Sequence, residues 1–334
     1  MNKSSFLNSF IVIKFKEFKL ASRWTIRKMA FVAILIAMSV AFTVVSAQIM
    51  PLITLSSYKI SFIGLPVKIS GFIFGPLIGI FVGIVSDILS LLFIPPAGYN
   101  ILYTVATSMN GLVAGVFGFY FVQFMNKAFS KEYRIQVIAS KITRLGMEFR
   151  AALASNEKRQ VDIIGLKIQK LYIRKKYVTN DNSNRLLSNI YLINAVIFLT
   201  LVVTIMGIIQ LQIPDVYISK SIIPNKAIML GLMTSGIMIM TIFVIVARFF
   251  MSFSRYSILV PIIVFSAYLE LINIPLLSFA DLHALGQGET SSFYFWFSQH
   301  ILTSPIKIWF NTFVIYYSYI IISKLINKNA NLSY

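Results

Sequence analysis

Four glycines recur at every fourth position within one apolar stretch of the chain. They are Gly71, Gly75, Gly79 and Gly83. This spacing puts small residues on one face of a helix, where backbones can approach closely inside a bilayer. Pro76 interrupts helical hydrogen bonding, so we predict two short helices joined by a tight turn. A carboxylate, Asp87, follows the last glycine by one helical turn. Because a lone charge is costly in a membrane, Asp87 indicates a partner or a function.

The composition is that of a helical integral membrane protein. Hydrophobic residues make up 57% of the 334 residues and charged residues 12%, with a mean hydropathy of +0.80. The net charge of +19 would suggest nucleic acid on a soluble protein, but the basic residues lie mostly outside the apolar stretches. The chain has no cysteine and two histidines, which excludes thiolate metal sites and argues against a histidine cluster. We therefore expect no metal or other cofactor.

Eight apolar stretches are candidates for membrane spans, and they predict a polytopic helical bundle. They are Ile26–Met50, Ile60–Phe74, Leu77–Phe93, Ile101–Phe124, Ile190–Ile213, Ile228–Phe250, Ile258–Ala280 and Ile301–Ile326. A crossing needs about 20 residues, so the second and third are expected to extend into flanking polar residues or to lie inside the bundle.

Lysine and arginine in the connecting segments predict the orientation. Residues 1–28 carry seven basic residues and one acidic residue, and residues 125–189 carry fourteen and five. The segments Pro51–Tyr58 and Ile94–Asn100 carry no charge. Because basic residues stay on the cytoplasmic side, we expect a multi-pass protein of the cell membrane with both termini in the cytoplasm.

Two basic segments are expected at the cytoplasmic surface. Residues 1–25 form either an amphipathic helix on the inner leaflet or a disordered tail. Residues 125–189 have apolar residues at helical spacing among many basic ones, which predicts amphipathic helices near anionic lipid rather than an RNA-binding segment.

Catalytic and nucleotide-binding signatures are absent. The sequence contains no G-x-x-x-x-G-K-[ST], H-E-x-x-H or G-x-S-x-G motif. We therefore expect no enzyme activity, and any uphill transport must draw its energy from partner subunits or an ion gradient.

Ile60–Pro66 and the glycine series through Asp87 are followed by the loop Pro95–Asn100 and the run from Tyr103 to Gly115. With these segments, the chain resembles the S components of energy-coupling factor (ECF) vitamin transporters, with the folate group the most similar. Ile60–Pro66 and the glycine series are similar to that family's second and third spans. The loop Pro95–Asn100 and the run from Tyr103 to Gly115 are similar to its third loop and fourth span. The resemblance covers residues 26–124 well and Ile258–Ile326 loosely.

The resemblance implies a six-span core that is interrupted by an insertion. The first four spans would occupy residues 26–124 and the last two residues 251–334, with the basic insertion at 125–189 and an additional hairpin at 190–250. It implies a substrate-binding subunit that captures a vitamin, with folate expected, from outside the cell. A membrane-embedded T component and two ATPase subunits would be its partners.

The resemblance also implies roles for particular residues. The alanines of the first span, Ala33, Ala37 and Ala41, would meet the T component, although internal packing would also explain them. Polar residues near the outer ends of the spans are substrate-binding candidates: Tyr58, Tyr99, Asn100, Tyr103, Thr104, Asn273, His300 and Lys307, with Glu270 and Asn311 nearby. Such residues offer the stacking surfaces and hydrogen bonds that a heteroaromatic vitamin needs, whereas interfacial anchoring explains any single tyrosine equally well.

Lys68 and Asp87 lie at similar distances from Pro76 along the second and third spans, which predicts an intramembrane ion pair. That pair would either stabilise the bundle or take part in substrate movement. The departures from the family are Lys68, which stands where an apolar residue is expected, and the last span, which lacks the family's arginine-containing segment. An alternative is a self-sufficient secondary transporter or channel with Lys68, Asp87 and Glu270 as ion-coupling groups. A membrane enzyme of lipid metabolism is the third alternative.

Overall fold

The computed structural model describes residues 26–49, 56–93, 100–180, 184–219, 221–285 and 292–328. All regular structure in these ranges is helical. The longer helices are α1 (Ile26–Ile49), α2 (Ser56–Phe74), α3 (Pro76–Leu91), α4 (Ile101–Gly118), α5 (Lys131–Ala154), α6 (Lys158–Asn180), α7 (Arg185–Gln212), α8 (Lys226–Phe250), α9 (Phe253–Leu285) and α10 (Phe293–Lys328). A π-helical segment, Phe119–Met125, and a short turn, Asn126–Phe129, continue α4, and Asp215–Ile218 forms one turn between α7 and α8.

The predicted all-helical membrane architecture is confirmed. Within the described ranges, six helices (α1, α4 with its continuation, and α7 to α10) are long and apolar enough to cross a membrane, and α2 and α3 contribute shorter apolar helices. Each predicted stretch lies mainly within a helix. However, α7, α9 and α10 begin at Arg185, Phe253 and Phe293, several residues before the apolar stretches that predicted them. Polar residues such as Arg185, Arg255 and His300 precede the apolar stretches in these helices, and a search for apolar runs omits them.

The glycine face is where α2, α3 and α4 cross. A Cβ added to Gly71 or to Gly79 would overlap the carbonyl of Gly111 in α4. One turn further along α3, a Cβ on Gly83 would lie 2.8 Å from Cα of Ser108. The three backbones therefore touch directly, as the spacing of the glycines predicted.

The break at Pro76 is also confirmed. Gly75 is the one residue between α2 and α3, and its φ of 104° lies in the region that favours glycine. Pro76 opens α3, where its missing N–H costs no helical hydrogen bond. The turn is so short that α2 and α3 must pack as an antiparallel pair.

Two apolar cores lie on either side of α9 and α10. One core joins α9 and α10 to α1–α4, through residues such as Phe72, Val82 and Phe265. The other joins them to α7 and α8, through residues such as Leu199 and Met240. The additional hairpin α7–α8 is therefore built into the bundle by its own core.

The π-helical segment is a docking point for α7. Its Phe121 carbonyl accepts a hydrogen bond from the hydroxyl of Tyr191. Beside it, the hydroxyl of Tyr120 donates to Oδ1 of Asn194 at 2.9 Å. A π-helical turn displaces carbonyl groups from regular helical bonding, and Tyr191 satisfies one of them.

Helices α5 and α6 form an antiparallel hairpin that carries most of the basic insertion. They pack against each other across a short turn at Asn156, whose φ is 59°. The hairpin joins the end of α4 to the start of α7, so it marks one end of the bundle, which we call the basic end. The Gly75–Pro76 turn lies at the same end, because α2 and α4 both run towards it.

Candidate functional site

Polar side chains line the facing sides of α2, α4, α9 and α10 and form a column inside the bundle. Most of them are buried. We call them the polar column: Lys68, Tyr103, Asn110, Glu270, Asn273, Asp281, His300, Lys307 and Asn311. On α9 and α10 they recur at spacings that keep them on one helix face. Eleven residues separate Glu270 from Asp281 and His300 from Asn311, so the column is about 16 Å long.

Three side chains close the end of the column that is opposite to the basic end. The hydroxyl of Tyr103 donates to Oδ1 of Asp281 at 2.6 Å. The other carboxylate oxygen lies 2.9 Å from Nε2 of His300. Asp281 is 2% exposed and His300 1%. The contacts connect α4, α9 and α10, and they satisfy a carboxylate that would be costly to bury without partners.

The middle of the column holds a cluster of charges. Lys68, Glu270 and Lys307 are all buried. Glu270 interacts electrostatically with both lysines, and Lys307 also interacts with Asp281. Two carboxyl groups and two amino groups therefore share one buried column, and charged groups are tolerated away from water when opposite charges lie together.

An amide pair lies beside Lys68. Nδ2 of Asn273 donates to Oδ1 of Asn110 at 2.8 Å. The remaining amide atoms, Nδ2 of Asn110 and Oδ1 of Asn273, are buried without a hydrogen-bond partner. A Cβ built on Gly64 would lie 3.0 Å from Nδ2 of Asn110 and 3.6 Å from Cε of Lys68. The absence of a side chain at Gly64 therefore lets Asn110 pack closely against α2.

More unsatisfied polar atoms occur on α10. Oγ of Ser304 and Oδ1 of Asn311 are buried without partners in the described structure. Most buried polar groups in proteins are hydrogen-bonded, and each exception needs an explanation. Three of the four atoms belong to the polar column and the fourth, Oγ of Ser304, lies on α10 between His300 and Lys307, so this part of the bundle offers hydrogen-bonding groups that a polar ligand could use.

The predicted ion pair between Lys68 and Asp87 does not form in the described part of the chain. Asp87 instead accepts a hydrogen bond from Oγ1 of Thr104, and the charged groups that act on Lys68 are Glu270 and Lys307. Lys68 and Asp87 lie at similar distances from Pro76, but this does not bring them together, because Asp87 continues the glycine face of α3. That face is turned towards α4.

Only some of the substrate-binding candidates lie in the polar column. Tyr103, Asn273, His300 and Lys307 belong to the polar column. Thr104 is directed to Asp87 instead, because neighbouring residues of a helix face different directions. Asn100 caps α4, its Oδ1 accepting from the N–H of Leu102 at 3.0 Å. The side chain of Tyr58 and all of Tyr99 lie outside the described residues.

Two residues of the column were missed by the sequence analysis. Asp281 was counted as a loop residue because the apolar stretch ends at Ala280, whereas α9 continues to Leu285. Asn110 was noted only as part of the resemblance in α4. The sequence did hold a signal that Asn110 is part of the site. Asn110 precedes Gly111, and Gly111 determines which face of α4 is turned towards α2.

The alanine face of α1 is exposed. Helix α1 packs against α2 and α3 through buried residues that include Val32, Leu35 and Ser39. Ala33, Ala37 and Ala41 lie on exposed positions. Packing among the described residues therefore does not account for these alanines.

Comparison with known families gives one finding. Residues 23–158 match the family model described as ECF-type riboflavin transporter, S component. This part of the chain is similar to an ECF S component. The match supports the predicted relationship to S components, but its description names riboflavin and not folate. It ends at Lys158, the first residue of α6, so the S-component-like region holds Lys68, Tyr103 and Asn110 of the column, and α7–α10 lie beyond it.

Searches with the whole chain gave no match to a curated protein and none to a solved structure. S components are transport subunits and not enzymes. The family match and the apolar helices together support a multi-pass membrane protein of this transport class.

Proposed function

We propose that this protein is the substrate-binding S component of an ECF importer and that its substrate is riboflavin or a closely related flavin. The vitamin enters from the side opposite to the basic end and binds along the polar column. The basic end faces the cytoplasm, as the distribution of lysine and arginine favours. A T component and two ATPase subunits supply the energy, and the exposed alanine face of α1 is the contact for the T component.

The Asn110–Asn273 pair is the observation that carries this proposal. After their mutual hydrogen bond, the NH2 group of Asn110 and the carbonyl oxygen of Asn273 remain without partners among the described residues. Exchanging O and N in both amides again leaves one donor group and one acceptor. A donor and an acceptor on one amide pair suit an –NH–C=O edge, which the isoalloxazine ring of a flavin presents.

The charge balance favours a flavin over folate. Folate brings two carboxylates, which need uncompensated cations when they are buried. In the polar column, Glu270 and Asp281 already offset Lys68 and Lys307. Riboflavin is uncharged, and its ribityl hydroxyls can both donate to and accept from polar atoms such as those of Ser304 and Asn311. The riboflavin description of the matching family agrees with this reasoning.

Thermal unfolding of the purified chain in detergent tests the substrate. A ligand that binds only the folded state raises stability by RT ln(1 + [L]/Kd), which is about 2.7 kcal/mol at a concentration of 100 Kd. We expect riboflavin to raise the melting temperature at micromolar concentration and folate to have no effect. A shift with folate alone would overturn the flavin assignment.

The buried lysines and carboxylates would also suit an ion-coupled secondary transporter. Uptake assays in liposomes distinguish the two functions. We expect the chain alone to bind flavin without accumulating it, and accumulation to require the T component, both ATPases and ATP. Gradient-driven accumulation by the chain alone would contradict the S-component proposal.

A further inference from the structure

The α7–α8 hairpin contacts α10 along one stripe that is about four helical turns long. Tyr217, between α7 and α8, stacks on Tyr294 with ring centroids 5.0 Å apart. The N–H of Ile222 donates to Oγ of Ser298 at 3.1 Å. Further along, Gly236 meets Pro305, and the rings of Phe243 and Trp309 are 5.4 Å apart. We call Tyr294, Ser298, Pro305 and Trp309 the hairpin stripe.

The hairpin stripe lies on the opposite side of α10 from the polar column. Its members are separated by four, seven and four residues, which keeps them on one face. At about 100° per residue, the mean direction of the stripe is roughly 150° from that of His300, Lys307 and Asn311. Helix α10 is therefore held between the polar column and the additional hairpin.

Gly236 brings the backbones of α8 and α10 close together. A Cβ at this position would lie 3.0 Å from Cα of Pro305 and 3.5 Å from Cδ1 of Ile308. Pro305 has no N–H, so α10 lacks one main-chain hydrogen bond at this level, and helices bend most readily at such points. Pro305 also lies between His300 and Lys307 in the sequence. The contact therefore supports α10 where bending would move these two column residues relative to each other.

We propose that α8 is a positioning element of the substrate site and that Gly236 is its positioning residue. By holding α10 at Pro305, it sets where His300 and Lys307 lie relative to Glu270 and Asp281 on α9. Without α8, fluid lipid would contact this face of α10, and lipid cannot hold α10 at one fixed distance from α9. The ligand readout rests on the proposed flavin function, whereas the helix position can be measured without any ligand.

The chain offers a matched control for the binding experiment. Gly231 lies in the same helix, and a Cβ there would meet nothing within 4 Å. We expect Gly236→Leu to weaken riboflavin binding about tenfold or more, because overpacking displaces helices. Gly236→Ala should weaken binding less, because the neighbouring atoms of Pro305 need to move by only a few tenths of an ångström. Gly231→Leu should leave binding unchanged. The absorption spectrum of the bound flavin should change in Gly236→Leu, which a loss of stability alone would not cause.

A distance measurement without ligand is straightforward because the chain has no cysteine. Cysteines introduced at Ile306 in α10 and at Ile88 in α3, which are 61% and 51% exposed, can carry spin labels. We expect Gly236→Leu to change the distance between the labels by electron–electron resonance and Gly231→Leu to leave it unchanged.

The outcomes separate the two proposals. If the wild-type chain binds no flavin, the proposed substrate is wrong, and the spin-label distance still decides whether α8 positions α10. If Gly236→Leu shifts the distance while riboflavin binds as in Gly231→Leu, the positioning role is wrong. An unchanged distance in a folded Gly236→Leu variant would also overturn it.

Discussion

Asn273 donates a hydrogen bond to Asn110 across the interface between α9 and α4, at 2.8 Å. The two residues are 163 positions apart in the sequence, with the basic hairpin and the additional hairpin between them. The bond therefore joins the S-component-like region to the part of the chain that lies beyond the family match. It leaves one donor and one acceptor unsatisfied, and these define the chemistry of the ligand that we expect.

Replacing one amide of this pair should weaken flavin binding. Asn273→Leu removes an acceptor and strands Asn110, and leaving a buried group unpaired costs about 1–3 kcal/mol, or roughly tenfold to a hundredfold in Kd. Riboflavin titration measures the change. Asn194→Leu is the control, because this half-buried amide of α7 accepts a hydrogen bond from Tyr120 outside the column, and its loss should affect stability but not Kd. Equal affinity in Asn273→Leu and wild type would contradict the assignment.

Removing the charge of Lys68 should destabilise the protein, and only one carboxylate should rescue it. Lys68→Met leaves Glu270 less compensated, and breaking a buried pair costs about 3–5 kcal/mol. The double variant Lys68→Met/Glu270→Gln should recover much of the melting temperature in detergent. Lys68→Met/Asp87→Asn should recover none, because Asp87 bonds Thr104. If the Asp87 double variant is the one that recovers stability, the ion pair between Lys68 and Asp87 that the sequence predicted would be supported instead.

A bulky residue on the alanine face should impair assembly and leave substrate binding intact. Ala37→Trp enlarges an exposed position of α1 that we assign to the T component, where close helix contact requires small residues. Copurification with the T component and riboflavin titration measure the two properties. Ile208→Trp on α7, 51% exposed, is a control for a large residue on a different outer face. Loss of copurification in both variants, or in neither, would argue against the alanine contact.

Reporter fusions should place the basic hairpin in the cytoplasm. A reporter after Glu157, in the turn between α5 and α6, should be cytoplasmic because fourteen basic and five acidic residues give residues 125–189 a net charge of +9. A reporter after Ser219, in the connection between α7 and α8, should lie outside. If the two signals are reversed, the side from which the vitamin enters must be reversed as well.

Local features of the fold were predictable from the sequence. The glycine spacing determines how closely α2 and α3 can approach α4, and Gly75 with Pro76 determines the turn between them. These effects depend on residues that are near one another in the chain. Helix ends were less predictable, because polar residues precede the apolar stretches of α7, α9 and α10. A helix that continues beyond an apolar stretch also needs no apolar residue there.

The polar column was predictable only in part. His300 and Lys307 were recognisable as polar residues in an apolar helix, but their partners depend on how distant helices rotate against each other. Asp281 and Asn110 became part of the site only through such packing. The error about Lys68 and Asp87 has a similar cause, although the sequence held a correction. Asp87 is one turn beyond Gly83, and Gly83 faces α4, so Thr104 was the partner within reach.

The crossing of α2, α3 and α4 has a consequence for how mutations there can be compensated. At Gly71, Gly79 and Gly111 the neighbouring atoms are main-chain atoms of the opposite helix. A second substitution can make a side chain smaller, but it cannot remove a carbonyl group. An enlarged residue at one of these three positions should therefore have no suppressor at the contact itself. Selection for restored uptake should return the glycine.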